Sequence, residues 1–270
     1  MKLIFSLLMI LSISIQANTS TSSLLNKYQN ALNKNTYFPT TKSENHFYSI
    51  NQSYKQQKEW VNYLLQNNKK YGFKSSLSTK DEQEKYNINN PIFGVIVAKH
   101  PYSNFDIIYK SNFINLHLSV KLGIKLKRKI TKKINNRYDL KKQIDSIYPV
   151  IELTEYKFKK LKEISINDLI ISNTGTSGFF KADKIKIRDL DKIKINITNK
   201  NEQNFAISSY TTDEILNQLK WTINRALSNG WKISSKDLIF TSSYTKLIEA
   251  EKGKYIIDFT DYSSMVFEIR

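Results

Sequence analysis

Pro149-Val150-Ile151-Glu152-Leu153 is an apolar run broken by one carboxylate, and its reading decides what kind of core this chain builds. A run of that composition makes a strand buried on both faces, which carries Glu152 into the interior. Buried carboxylates are rarely left alone, so a cation, a metal or a raised pKa is expected there. Upstream, Phe113-Ile114-Asn115-Leu116-His117-Leu118-Ser119-Val120 alternates apolar and polar residues, the pattern of a half-buried strand. Its polar row of Asn115, His117 and Ser119 faces either solvent or a cavity.

Further strands are expected at 71–78, 95–98, 107–108, 149–158, 168–172, 181–188, 193–198, 237–241, 255–259 and 265–269. Helical spacing marks 22–33, 51–70, 138–148 and 213–228. The last is the clearest: Thr211 with Glu214 forms a capping box, Leu216, Leu219, Ile223, Ala226 and Leu227 share one face, and Asn229-Gly230 closes it. Early helices followed by many strands give an α+β class with one β-rich core. The expected organisation is a single domain over 18–270, helical to about 70 and β-rich from about 71.

Composition removes several kinds of chemistry. The 270 residues include no cysteine, which excludes disulfides, thiolate metal sites and thiol nucleophiles together. Seven glycines spread along the chain leave no Gly-rich phosphate loop. With 40% hydrophobic residues the chain can build a real core. Lys and Arg outnumber Asp and Glu by 42 to 24, a net charge of +18 that favours anionic partners. A coding bias toward lysine and asparagine explains the same excess. The basic segment 125–137 lacks interleaved aromatics, so a solvated loop is expected there, with no nucleic acid as partner.

Residues 1–17 read as a leader. Met1-Lys2 is positive, 3–15 is apolar and uncharged, and Gln16-Ala17 precedes a polar stretch. That apolar run is too short to span a bilayer, which takes about 20 residues. An exported mature chain beginning near Asn18, periplasmic or secreted and with no transmembrane segment, is expected, with an uncleaved N-terminal anchor as the rival reading.

Two further places could carry chemistry. Lys74, between Phe73 and Ser75, is either an acid/base held among apolar neighbours or a snorkelling surface lysine. Asn173-Thr174-Gly175-Thr176-Ser177-Gly178 and Thr241-Ser242-Ser243 are hydroxyl-rich, suited to holding an oxyanion and equally suited to plain turns.

Taken in order, these segments resemble the 2-keto-4-pentenoate hydratase and oxalocrotonate decarboxylase family, within the fumarylacetoacetase C-terminal-like fold. Gly72-Phe73-Lys74-Ser75-Ser76-Leu77-Ser78 is similar to its Gly-x-Lys-x-Gly-Leu-Thr strand, and Pro91-Ile92-Phe93-Gly94 to its Pro-x-Phe-Gly. Pro149 to Leu153 is similar to its Pro-Ala-Leu-Glu-Ile, Asn173 to Gly178 to its Asp-Asn-Ala-Ser-x-Gly, and Lys236 to Thr241 to its Gly-Asp-x-x-x-Thr-Gly. The resemblance implies a mixed β-roll or barrel core with N-terminal helices, often in a homo-oligomer. It implies a lyase in which magnesium or manganese, held by a Glu-x-Glu strand and a later Glu, binds a 2-oxo acid.

Carried onto this chain, the resemblance assigns Lys74 and Thr176 to catalysis and Thr174, Ser177, Thr241 and Ser242 to substrate. The metal positions fall on Asn115, His117 and Glu152, leaving one carboxylate. Removing carboxylates weakens magnesium binding, and an imidazole ligand favours zinc, manganese or iron. Two functions follow from the resemblance. One is an exported lyase acting on a small 2-oxo acid or a dienol such as 2-hydroxypenta-2,4-dienoate. The other is a non-catalytic ligand-binding or interaction protein that has kept the fold. Without a metal, Glu152 should pair with Lys74 or another cation.

Overall fold

A computed structural model gives the architecture and describes residues 23–186, 193–199, 209–259 and 262–270. In chain order the elements are α1 (Ser23–Asn33), α2 (Ile50–Leu64), β1 (Lys69–Ser76), α3 (Lys80–Lys85), β2 (Ile92–Ala98), β3 (Ile107–Ile108), β4 (Leu116–Leu126) and α4 (Arg137–Gln143). There follow β5 (Ile144–Glu155), α5 (Ile166–Ile171), β6 (Thr176–Lys181), β7 (Ile195–Asn199), α6 (Thr212–Ser228), β8 (Leu238–Phe240), β9 (Ile248–Glu249), β10 (Gly253–Phe259) and β11 (Ser263–Ile269). The expected leader at 1–17 and residues 187–188 of the strand expected at 181–188 lie outside the described residues; of the rest of that strand, Lys181 ends β6 and Ile185 makes only an isolated bridge to Ile147. No helix among the described residues is long and apolar enough to cross a membrane.

The strands form two sheets. The larger runs β2-β1-β8-β4-β5-β6, with β9 added on β4; the smaller runs β3-β11-β10-β7. The larger sheet is curled into a half-barrel, which its aromatic contacts reveal. Phe179 of β6 touches Phe240 of β8 and Tyr71 of β1, although β4 and β5 stand between them in the sheet order. The face carrying Phe179 and Phe240 is therefore concave. Its floor is a small apolar cluster of Ile96, Ala98, Val150, Phe179, Leu238 and Phe240.

The opposite face of the same strands carries Phe73, Val95, Leu122, Ile124, Ile151 and Leu153 into the main core, which α2, α5 and α6 cover. The capping box on α6 forms as expected, with Thr211 accepting from the Glu214 backbone and Glu214 accepting from the Thr211 backbone. Its buried face is Ile215, Leu216, Leu219, Ile223 and Ala226, each worth about 1.5–3 kcal/mol when fully covered for the larger aliphatics. The side chain of Gln57 in α2 donates to the carbonyls of Phe93 at 2.7 Å and Ile170 at 2.9 Å, fixing β2 and α5 to one another.

Four expected elements differ. Residues 168–172 form the end of α5 rather than a strand, because Ser165 and Asp168 make a capping box. The apolar run Leu169-Ile170-Ile171 is too short for periodicity to separate helix from strand. Two expected helices are overlong: α2 stops at Leu64 before β1, and α4 stops at Gln143, where β5 takes over. β4 begins at Leu116, since Asn115 is in the left-handed conformation with φ 53°.

The parallel pair β1 and β8 depends on Gly72. A Cβ there would lie 1.8 Å from the Leu238 carbonyl oxygen, and φ is +150°. Asp237 reinforces the junction, accepting from Lys70 at 2.6 Å and from the Ser234 backbone at 2.7 Å. Gly72→Ala is expected to cost roughly 3 kcal/mol, the upper end of overpacking penalties, read as a lower urea midpoint with an unchanged slope.

Candidate functional site

Strand alternation brings three charged side chains together on the concave face. In the β4–β5 register Ser119 stands opposite Glu152 and Lys121 opposite Val150, so His117, Ser119 and Lys121 share the face of Glu152. Lys74 enters the same face from β1, at the level where it opposes Gly94 on one side and Phe240 on the other. One oxygen of Glu152, Oε1, is paired with the Lys74 ammonium; the other, Oε2, lies 2.8 Å from Lys121 Nζ. All three are buried: Glu152 is 0%, Lys74 1% and Lys121 4% exposed. Two ammonium groups face one carboxylate, and the cluster carries net positive charge.

The neighbouring backbone is shaped to receive Lys74. Gly94 leaves the space, because a Cβ would meet Thr174 Oγ1 at 2.4 Å and Lys74 Cε at 3.0 Å. The Thr174 carbonyl accepts from Lys74 Nζ at 3.0 Å. That carbonyl is aimed by a run of left-handed residues, Asn173, Thr174 and Gly175, at φ 60°, 54° and 69°. A β-branched threonine in that region is strained by about 1–3 kcal/mol and persists only because its surroundings hold it. The Asn173 side chain supplies the hold: its amide accepts from Val95 N and donates to Val95 O, both at 2.8 Å, in the manner of an extra strand on β2.

Burial alone would push the Glu152 carboxyl up; the charges of Lys121 and Lys74 outweigh it and hold the group below the ordinary carboxylate range. Lys74 goes the other way. Burial lowers its pKa to about 8, with the Glu152 charge opposing and the Lys121 charge assisting the fall.

The remaining expected site residues divide. The Thr176 hydroxyl is 3.4 Å from Glu152 Oε1, and His117 sits half-buried two pairs further along, opposite Thr154. Its Nδ1 lies 2.8 Å from the Asn115 carbonyl. Asn115 itself lies before β4, and its amide nitrogen donates to the carbonyls of Tyr156 and Phe158 at 3.1 and 2.7 Å. Ser177 points to Glu155, which binds Lys157 and the Ile114 backbone, a separate cluster. Thr241 accepts from Leu122 N and donates to the Ser242 carbonyl, stitching β8 to β4. The Ser242 backbone N–H donates to Gln218 of α6.

Two residues were missed by sequence reasoning. Lys121 continues the two-residue rhythm of His117 and Ser119 and was legible as such. Tyr156, whose ring is 6.2 Å from that of His117, lies near enough to Glu152 that burial and then the carboxylate charge push its phenol well up. The hydroxyls of Ser119 and Thr174 are buried with no hydrogen-bond partner among the described residues.

Comparison with solved structures places the fold. 4-Oxalocrotonate decarboxylase from Pseudomonas putida G7, complexed with magnesium and adipate, matches with a TM-score of 0.79 over 92% of this chain and 96% of that one, at 13% identity. The chain has the fold of that decarboxylase. The same enzyme complexed with calcium and acetate gives 0.78 at 13% identity with the same coverage. A putative fumarylacetoacetate hydrolase family protein from Yersinia pestis CO92 gives 0.50 at 10% identity, over 74% of this chain and 93% of that one. The fold is thus the fumarylacetoacetase C-terminal-like one that the motifs imply. No protein-family model and no curated protein matches the chain.

The decarboxylase of this fold was solved with a divalent cation, and the residues present here do not suit one. Both oxygens of Glu152 face ammonium groups, and among the described residues no three of His, Asp or Glu gather as a metal cage. A hard cation wants several oxygen ligands and little competing positive charge.

Glu152→Gln would strand two buried ammonium groups and is expected to cost about 3–5 kcal/mol in chemical denaturation. Replacing the cluster together with Lys74→Met, Glu152→Leu and Lys121→Met should recover most of that loss. The pH dependence has a definite sign. The folded pKa of Glu152 lies below the unfolded one, so its stabilisation is present above the ordinary carboxylate pKa of 4.5 and lost as pH falls through the folded value. Stability measured below pH 4.5 should therefore decline more steeply in the native chain than in Glu152→Gln.

Proposed function

We propose that this chain is a decarboxylase-fold protein that binds a small 2-oxo acid, or the related enol acid, at the Lys74–Glu152–Lys121 cluster without a divalent metal. The observation that carries this reading is the placement of Lys121 on Glu152 Oε2. A site with two ammonium groups and one carboxylate favours an anion. The unpartnered hydroxyls of Ser119 and Thr174 offer donors for a carboxylate and its neighbouring oxygen. Half-buried His117, Tyr156 and Thr176 form the rim by which a ligand would approach. With 1–17 as a leader, the protein acts after export, in the periplasm or outside the cell.

One observation favours a second reading, a lyase acting on 2-hydroxypenta-2,4-dienoate. Lys74 has a pKa lowered to about 8 and is suited to moving a proton near neutrality.

Calorimetry with pyruvate, 2-oxobutyrate and adipate in the presence of a chelator tests the first reading. Saturable binding is expected, weakened about 10- to 100-fold in Lys121→Met by loss of a charged hydrogen-bond donor. No turnover of 2-hydroxypenta-2,4-dienoate is expected with magnesium or manganese. Binding that needs a divalent ion, or turnover that such an ion switches on, would overturn the first reading in favour of the second.

A further inference from the structure

Lys121 occupies an unusual place for a lysine. It lies in the middle of β4, between β5 and β8, with its side chain on the concave face and 4% exposed. It continues the polar row of His117 and Ser119, but unlike them it carries a full charge, while Val120, Leu122 and Ile124 on the opposite face are fully buried and apolar. A four-carbon stem and a buried charge are costly to hold there unless the charge has a partner. The partner is the oxygen of Glu152 that Lys74 does not take, 2.8 Å away.

The residue directly opposite Glu152 is Ser119, whose hydroxyl has no hydrogen-bond partner among the described residues. Two pairs beyond stands His117, with Nδ1 turned to the Asn115 carbonyl. Around the carboxylate there are thus two ammonium groups and the hydroxyls of Ser119 and Thr176, with the His117 imidazole further along the same face. We propose that Lys121 is an internal cation doing for Glu152 what a divalent metal would do, neutralising and orienting it, so that this decarboxylase-fold interior is closed to metals by its own side chain. The exchange is local. Removing the Lys121 ammonium and giving Ser119 a carboxylate would put His117, Glu152 and the new carboxylate on one concave surface, a donor set that manganese accepts. This inference rests on the contacts of Glu152 and stands apart from the identity of any organic ligand.

The test uses the full chain and manganese(II) alone, with bound ion read from the loss of the free-ion electron paramagnetic resonance signal. The native protein should show no saturable uptake. The double variant Ser119→Glu, Lys121→Ala should bind one ion per chain, about 100-fold or more tighter than the native protein, and adding Glu152→Gln should abolish the gain. Manganese should raise the melting temperature of the double variant alone. Saturable uptake by the native chain that Glu152→Gln removes would overturn the proposal, as would a folded double variant that binds no better. Should the double variant not fold, Lys121→Ala decides the matter. Methylammonium chloride should recover part of its lost melting temperature where equal sodium chloride does not, and equal effects of the two salts would contradict an internal cation site.

Discussion

Taking a carboxylate out of water costs several kcal/mol even after the protein relaxes around it, and a lone ammonium costs as much. The curled sheet holds one of the former and two of the latter behind less than a twentieth of their surface. They are tolerable only as a set, and this requirement fixes much of what surrounds them. Gly94 stays without a side chain so that Lys74 can pass; Thr174 is held left-handed so that its carbonyl meets the same ammonium; Asn173 clamps that turn onto β2. Contacts among β1, β2, β5 and the turn before β6 therefore converge on one charge cluster. Removing Glu152 strands both ammonium groups, and removing either lysine leaves one carboxylate oxygen without its cation.

Architecture and interior charge rest on different residues. A decarboxylase solved with magnesium and this protein agree over nearly their whole length, at an identity that preserves little besides packing. The curl needs only apolar alternation, Gly72 at the β1–β8 contact and the aromatic floor of Phe179 and Phe240. None of these speaks to the chemistry inside. The interior charge is set instead by a few positions on the concave face, and here those positions favour anions.

How much of this was legible depended on how local the signal was. Glu152 was readable because a carboxylate inside Pro149–Leu153 contradicts its own surroundings, and the capping box of α6 was readable because its residues are neighbours. The alternation through Ser119 left its polar row facing either solvent or a cavity, and extending it two residues would have reached Lys121. Asn115 was not separable from His117 by rhythm, since the left-handed turn that removes it from the strand is set by its bonds to Tyr156 and Phe158, forty residues away in the chain. For the same reason Thr241 and Ser177 looked like substrate groups: a hydroxyl used to join strands or to serve a second ion pair is indistinguishable in sequence from a free one. The helix over 166–171 failed differently, by a short apolar run whose period is ambiguous.

The central claim is that Glu152 is neutralised from within. A crystal structure determined from crystals grown in excess magnesium tests it most directly. The account predicts Lys74 and Lys121 still on the two oxygens of Glu152, at hydrogen-bond distance. An octahedral ion bound to that carboxylate, with the Lys121 side chain displaced from it, would contradict the account.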